Sequence, residues 1–194
     1  MSSRDNILQA VKNSQPEALQ LPELPPFDIW FDDSEQKLVE VLTAIGGKVF
    51  KVGNAGAIPA LLAAELPGAG RNVTTLPELF HWAEPANAQA EPHSLEDVDI
   101  AVLRGHFAVA ENGAVWVTEE CLQPRALPFI CQRLVLVVDR KNIVPLMQQA
   151  YRLISLSDYG YAAFIAGPSK TADIEQSLVV GAHGPVSMCL VLVG

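Results

Sequence analysis

The sequence is poor in charged residues, in cysteine and in long apolar runs, and each shortage excludes a class of protein. Only 18% of the 194 residues are charged and 49% are hydrophobic, which excludes a disordered chain. The three cysteines are widely spaced and form no CxxC pair, so neither a zinc site nor an iron–sulfur site is expected. No apolar run reaches the roughly eighteen residues that a membrane span needs, so no span is predicted.

Other absences limit the location and the ligands of the protein. The opening residues, MSSRDNILQAVKNS, are too polar for a signal peptide, and isolated cysteines suit a reducing compartment, so a cytoplasmic protein is expected. The net charge is −9 and the basic residues are scattered, which excludes nucleic acid as an expected partner. HExxH and a GxGxxG after a strand are both missing, so we predict no metal and no cofactor.

The first residues look different from the rest of the chain. Residues 5–12 have the apolar spacing of an amphipathic helix. Residues 15–31 contain four prolines and should run extended over the surface. We therefore predict a helix and a proline-rich arm at 1–31, followed by one domain at 32–194. The arm could pack on its own domain or reach a second subunit, which leaves a homodimer open.

From residue 32 onward, helical and strand patterns alternate. Several strands are apolar almost without interruption, which indicates a mostly parallel sheet that is covered on both faces. We therefore predict a three-layer α/β/α fold, with a ligand crevice at the carboxyl ends of the strands. The predicted strands are 48–52, 72–76, 98–103, 114–118, 134–139, 161–166 and 187–193, and the predicted helices are 34–45, 58–65, 143–154 and 173–179.

The segment GPSKTADIE follows a predicted strand and opens a predicted helix. Its glycine would let backbone amides approach a ligand, and two hydroxyls and a cation would stand near the positive helix end. A carboxylate or phosphate would be stabilised there by Gly167, Ser169, Lys170 and Thr171. The alternative is purely structural, because glycine and proline make turns and Asp173 would cap the helix.

Two other glycine-bearing segments are candidates for the same pocket. In GAHGP, His183 could exchange protons near neutral pH and Gly184 could approach a ligand, although a packed turn explains the segment equally well. In RGHFAVAENG, Glu111 could act as a base or nucleophile and Arg104 could bind an acid group. Both residues could equally be solvated surface charges. We predict that the three turns meet beside one helix tip and form a pocket for negative charge.

The paired segments IAGPSKTADIE and LVVGAHGP resemble the hallmark of the LUD domain, and specifically of the lactate utilisation protein C family. In that family the motif commonly reads SGPS[RK]TADIE followed by G-x-HGP. One departure is Ala-Glu-Asn-Gly at 110–113, where many relatives have Ala-Glu-Thr-Gly. The resemblance implies a NagB/RpiA/CoA-transferase-like fold.

The resemblance also implies a function that the residues alone do not supply. The family takes part, with two iron–sulfur partner proteins, in oxidising L-lactate to pyruvate, and this chain would be a component without a cluster. It would bind a small carboxylate or another anion, or a partner subunit. Two alternatives stay open: an enzyme like a CoA-transferase or sugar-phosphate isomerase that uses Glu111, or a non-catalytic assembly or regulatory module.

Overall fold

A computed structural model describes residues 2–17, 19–20, 22, 31–68, 70–154, 159–174 and 177–194. The helices are α1 Ser3–Asn13, α2 Ser34–Ala44, α3 Ile58–Glu65, α4 Glu119–Leu122, α5 Leu127–Ile130 and α6 Met147–Leu153. The strands are β1 Lys48–Val52, β2 Arg71–Thr74, β3 Glu84–Pro85, β4 Val98–Arg104, β5 Phe107–Val109, β6 Val115–Thr118, β7 Arg133–Asp139, β8 Ile143–Val144, β9 Ala162–Ile165, β10 Lys170–Ile174, β11 Ser177–Val180 and β12 Ser187–Val193. The extended arm predicted at 15–31 lies mostly outside the described residues.

The helices at the start of the chain begin at side-chain caps. Ser2 and Asp5 form a reciprocal capping box at the start of α1, although every residue of that helix remains exposed. Asp33 accepts a hydrogen bond from the Gln36 N–H at 2.9 Å, which caps the start of α2. Among the described residues, no helix has both the length and the apolar character that crossing a bilayer requires.

A six-stranded sheet in the order β1-β12-β7-β4-β2-β3 forms the centre of the molecule, and all its strand pairs are parallel. The α/β class with a mostly parallel sheet is therefore confirmed. The middle strands are buried on both faces because their side chains alternate between two cores. Met188, Leu190 and Leu192 point into one core, whereas Cys189 and Val191 point into the other.

Different elements cover the two faces of this sheet. On one face, Ile58 and Leu62 of α3 pack with the middle-strand side chains that point to that face, such as Val191. On the other face, Leu38 and Leu42 of α2 pack together with a second sheet, whose order is β8-β5-β6-β9. That second sheet contributes Val115 to the shared core. The strand pattern of the sequence did not separate these two sheets.

Gly105 makes the bend that sends the chain from the central sheet into the second sheet. Its N–H donates to Val137 O at 2.9 Å, and the next N–H, from His106, donates to Trp116 O at 2.9 Å. A Cβ at position 105 would lie 2.4 Å from Val115 Cγ1 and 2.9 Å from Val138 Cγ2. The bend therefore needs a residue without a side chain.

The helix predicted at 143–154 is wrong in its first half. Residues Ile143–Val144 form β8, which pairs in parallel with β5, and α6 begins only at Met147. Pro145 explains the difference, because a residue before proline is biased away from helical geometry. The apolar spacing over this stretch resembled one helix, but it combines a strand and a short helix.

The helix predicted at 173–179 is also wrong. The described residues of this stretch, 173–174 and 177–179, belong to the antiparallel pair β10 and β11, in which Lys170 lies opposite Val180 and Thr171 lies opposite Val179. Thr171, Val179 and Val180 are β-branched and suit strands, so pairing between the segments outweighed the capping signal at Asp173. The helix tip that the anion-site prediction relied on therefore does not exist.

Candidate functional site

The turn at 167–171 joins β9 to β10 and packs closely on the end of α2. Gly167 has φ +73°, and a Cβ there would lie 3.3 Å from both the side chain and the carbonyl oxygen of Ile45. Pro168 is buried, and its ring lies 3.5 Å from the position of a Cβ on Gly46. The glycine is needed because the backbone adopts a left-handed conformation in contact with a helix.

The turn at 181–185 interlocks with the first one through its backbone. The Ser169 N–H donates to Pro185 O at 2.9 Å, and the Gly181 N–H donates to Ser169 O at 2.9 Å. A Cβ at Gly184 would lie 3.0 Å from Ser169 Cβ. The structure therefore brings the candidate turn at 181–185 into contact with the candidate turn at 167–171.

The turn at 110–113 reaches the same helix from the second sheet. Gly113 has φ +73°, and a Cβ there would lie 3.3 Å from Leu42 Cα. Strands β6 and β9 are antiparallel, with Val115 opposite Ile165, so the turn before β6 and the turn after β9 lie at the same end of the second sheet. All three turns thus contact α2 or each other, and we call residues 110–113, 167–171 and 181–185 the turn cluster.

The polar groups of the turn cluster differ in availability. Lys170 and His183 are exposed, and Ser169 and Thr171 are half-buried. The backbone N–H groups of Ser169 and Gly181 are already used in the contact between the turns. An anion at this surface could not use these two N–H groups or a helix end, whereas the side chains of Lys170 and His183 are exposed.

Glu111, a residue of the turn cluster, has a hydrogen-bond partner in α6. One carboxylate oxygen accepts a hydrogen bond from the Met147 N–H at 2.8 Å, at the first residue of α6. The Glu111 N–H donates to Pro145 O at 3.0 Å, which holds the same two segments together. A carboxylate at this place satisfies a free helix N–H and suits the positive end of the helix. A catalytic role for Glu111 stays a prediction.

Arg104 lies away from the turn cluster, which corrects its predicted place in the same pocket. It is the last residue of β4 and forms a salt bridge with Glu78 beyond β2. In the sheet, Arg104 is level with Val137 of β7 and hence with Val191 of β12. Four residues of β12, about 13 Å at the usual strand rise, separate that level from Ser187, and the 181–185 turn lies beyond it.

A cleft of about 480 Å³ opens at the other end of the second sheet. It is lined by His106, Phe107, Trp116, Thr118, Glu119, Glu120, Gln123, Leu153, Ile154 and Tyr159. The Thr75 hydroxyl, just after β2, donates to Cys121 O at 3.1 Å and ties α4 to this end. The cleft is thus at the carboxyl ends of β2 and β4, where a parallel sheet is expected to place its crevice.

An imidazole, a hydroxyl and a thiol meet beside the cleft. His106 Nε2 lies 2.8 Å from Thr118 Oγ1 and 3.3 Å from Cys121 Sγ, and Asn142 donates to His106 O at 3.1 Å. Burial raises the pKa of the Cys121 thiol, so the group stays protonated near neutrality. Within the described ranges, no three His, Cys, Asp or Glu side chains group so as to hold a metal ion.

A fixed carboxylate marks the edge of the cleft. Glu119 accepts a hydrogen bond from the Gly160 N–H at 2.6 Å and forms a salt bridge with Arg125. The Gly160 hydrogen bond, followed by that of Arg125, lowers the pKa of Glu119. Glu120 beside it is exposed. Arg125 balances the charge of Glu119, so Glu120 gives the cleft its net negative charge, whereas the turn cluster presents Lys170 and His183.

The match to a known family covers the second sheet, both candidate regions and most of the central sheet. The LUD domain model matches residues 74–193, more than half of the chain. The chain belongs to the LUD domain family. This confirms the relationship that the two paired motifs indicated.

Curated proteins named lactate utilization protein C resemble this LUD domain. The protein from Bacillus pumilus is 32% identical over 118 residues, which cover 58% of this chain and 49% of the relative. The protein from Geobacillus kaustophilus is 31% identical over 119 residues, which cover 58% of this chain and 50% of the relative. The matched part of this chain therefore spans about half the length of these relatives.

A solved structure supports the fold of the LUD domain. The crystal structure of a DUF162 family protein from Deinococcus radiodurans superposes with a TM-score of 0.64 and covers 83% of this chain and 96% of that one. The two sequences are only 17% identical, so the similarity concerns the fold. The domain start predicted at residue 32 stays a prediction, although β1 pairs with β12 within the central sheet.

The sequence predicted a crevice at the carboxyl ends of the strands but not the residues that line it in this LUD domain. Neither His106 nor Cys121 was among the predicted site residues. The signal available was weak: a histidine directly after the bend glycine and a cysteine three residues after the end of a strand. Only the pairing of β5 with β6 shows that these residues meet.

Proposed function

We propose that this LUD domain is a cluster-free component of a lactate utilisation system, which works with iron–sulfur partner proteins in oxidising L-lactate to pyruvate. Its relatives named lactate utilization protein C support this role. The three cysteines are free thiols, which fits a protein of the cytoplasm. We further propose that the turn cluster binds the small carboxylate or contacts a partner subunit.

The contact between the two motif turns is the observation that carries the proposal. Because Ser169 is bonded to both Gly181 and Pro185, the side chains of residues 169–171 and His183 emerge from one joined backbone unit. Lys170 and His183 are exposed on that unit. A lysine and a histidine can pair with a carboxylate and can donate hydrogen bonds to it.

Ligand titration tests the carboxylate part of the proposal. We expect L-lactate or pyruvate to shift the NMR signals of residues 167–171 and 181–185, and Lys170→Ala to weaken binding about tenfold. Lys141→Ala provides the matched control, because Lys141 is also exposed but follows the carboxyl end of β7. Equal affinity of the two variants would place the anion elsewhere.

Co-expression with the iron–sulfur partner proteins tests the assembly part. We expect the tagged chain to retain these partners and a deletion strain to lose growth on lactate until the chain is restored. If Lys170→Ala and His183→Ala both lose the partners but bind lactate normally, the turn cluster is a docking surface. If the deletion strain grows normally on lactate, the lactate role is wrong.

A further inference from the structure

The cleft described above is separate from the turn cluster and differs from it in charge. Its volume of about 480 Å³ lies within the range of small-molecule sites. Its lining combines aromatic rings, an imidazole and two carboxylates. Arg125 balances the charge of Glu119, so the exposed Glu120 sets the sign of the cleft and favours a cation over the lactate-like anion proposed for the turn cluster.

The apolar wall of the cleft is built from packed aromatic rings. Trp116 stacks on Phe107 with ring centroids 6.4 Å apart and an interplanar angle of 20°. The same indole meets Phe164 at 4.5 Å and the edge of Tyr159 at 5.9 Å. Because each ring is held by its neighbours, the wall offers a fixed surface to a flat or extended apolar group.

The charged edge of the cleft is fixed in its ionised form. The hydrogen bond from the Gly160 N–H and the salt bridge with Arg125 keep the pKa of Glu119 below its usual value. Glu120 is the next residue and is exposed at the cleft. Because Arg125 already pairs with Glu119, Glu120 is the carboxylate that would attract a positive group, together with the electron-rich faces of the indole and phenol rings.

We propose that this cleft binds a small organic amine. The ammonium group lies at Glu120 near the Trp116 ring, and the apolar body of the amine contacts the aromatic wall and Leu153. The assignment depends on the cleft alone, so it stands or fails independently of the lactate role.

Two ligands that share a phenylethyl body and carry opposite charges test which sign of charge the cleft prefers. We expect 2-phenylethylamine to bind in calorimetric titration and to change the fluorescence of Trp116, while 3-phenylpropionate binds at least tenfold more weakly. Equal binding of the two compounds, or tighter binding of the acid, would overturn the proposal. A short lysine-containing peptide that binds more tightly than the free amine would overturn the assignment to a small molecule.

Two substitutions test the place of binding. Glu120→Gln should weaken amine binding about fivefold, and Trp116→Phe should weaken it by a smaller factor because a ring is kept. Glu96→Gln is the matched control, since Glu96 is exposed just before β4, at the opposite end of the sheet. Unfolding in urea verifies that the variants are folded. Amine affinity that is the same in the Glu120 variant and its control contradicts the proposed site.

Discussion

The turn cluster and the cleft lie at opposite ends of the second sheet, and different contacts stabilise each of them. In the turn cluster, glycines let backbone approach backbone, as where Gly113 and Gly167 contact α2. In the cleft, contacts between side chains hold the segments in place: His106 forms a hydrogen bond with Thr118, and Glu119 forms a salt bridge with Arg125. The cluster should therefore tolerate changes of charge better than changes of shape.

The same comparison separates the ligands that each region suits. Helix α6 runs between the two regions: its first residue meets Glu111, whereas Leu153 lines the cleft. A carboxylate ligand would meet Lys170 and His183 at one end, and would meet Glu119 and Glu120 at the other. The two proposals together would give one LUD domain two surfaces of opposite ligand preference.

Gly181→Ala is the change that should break the turn cluster most severely. Gly181 has φ +79°, and an added Cβ would lie 2.3 Å from Val186 Cγ1. Backbone strain and overpacking together should lower the free energy of unfolding by about 3 kcal/mol. Urea unfolding would measure this, with Gly53→Ala as the control, because a Cβ at Gly53 meets nothing within 4 Å. Equal losses in both variants would refute the role of close packing.

Gly105→Ala tests whether the cleft also depends on one close contact. The added methyl would press on Val115 and Val138, which should cost about 2 kcal/mol of unfolding free energy. The bend carries His106, so the contact between His106 and Thr118 should weaken as well. NMR of the imidazole would detect the change. A variant with wild-type stability and an unaltered imidazole spectrum would show that the bend tolerates a side chain.

Glu35 lies in the first turn of α2, the helix that the turn cluster contacts, and it adds a dependence on pH to the comparison. Its carboxylate forms salt bridges with Arg140, which follows β7, at 2.7 Å and with Lys51, which lies in β1, at 2.5 Å. These partners lower the pKa of Glu35 from its usual value of 4.5. A lowered folded-state pKa gives stability that is present above the unfolded value and is lost as the pH falls through the folded value. Glu35→Gln should therefore cost about 1 kcal/mol at pH 7.

The cost of Glu35→Gln should shrink as the pH falls below 4.5 and should vanish below the lowered pKa of the carboxyl group. Unfolding in urea over a series of pH values would follow this change. Glu65→Gln is the control, as Glu65 is an exposed residue at the end of α3. A cost that is independent of pH would mean that the ion pairs contribute nothing.

Glu111 gives the smallest expected effect and separates a helix cap from a catalytic base. Glu111→Ala should lower the free energy of unfolding by about 0.5 to 1 kcal/mol, because the Met147 N–H loses its acceptor. Glu111→Gln keeps an acceptor and should cost less. Urea unfolding measures both. A turnover of acyl-CoA or sugar phosphate that Glu111→Gln abolishes would instead establish the catalytic alternative.

Much of the central sheet could be predicted from local sequence. Lys48–Val52 and Ser187–Val193 were predicted with the observed bounds, because their apolar runs end at glycine or polar residues. Helix α2 was predicted at 34–45 and lies at Ser34–Ala44, with Asp33 as its N-cap. In these elements the local signal and the burial of the strand agree.

The remaining features depended on contacts between distant segments. Residues 170–180 contain a capping signal, yet the strands they form need each other and neither is specified alone. Arg104 was grouped with the turns because it is near Glu111 in sequence, although β4 places it at the other end. His106 and Cys121 come together only after β5 and β6 have paired.

The position of β12 bears on how the chain acquires its structure during synthesis. Among the described strands, β12 is synthesised last, yet it occupies the space between β1 and β7. Until β12 has emerged from the ribosome, β1 lacks the one strand that it pairs with in the described sheet, where Lys48 lies opposite Cys189. We therefore expect the central sheet to close late in synthesis, after a period in which the apolar edges of β1 and β7 are exposed to aggregation.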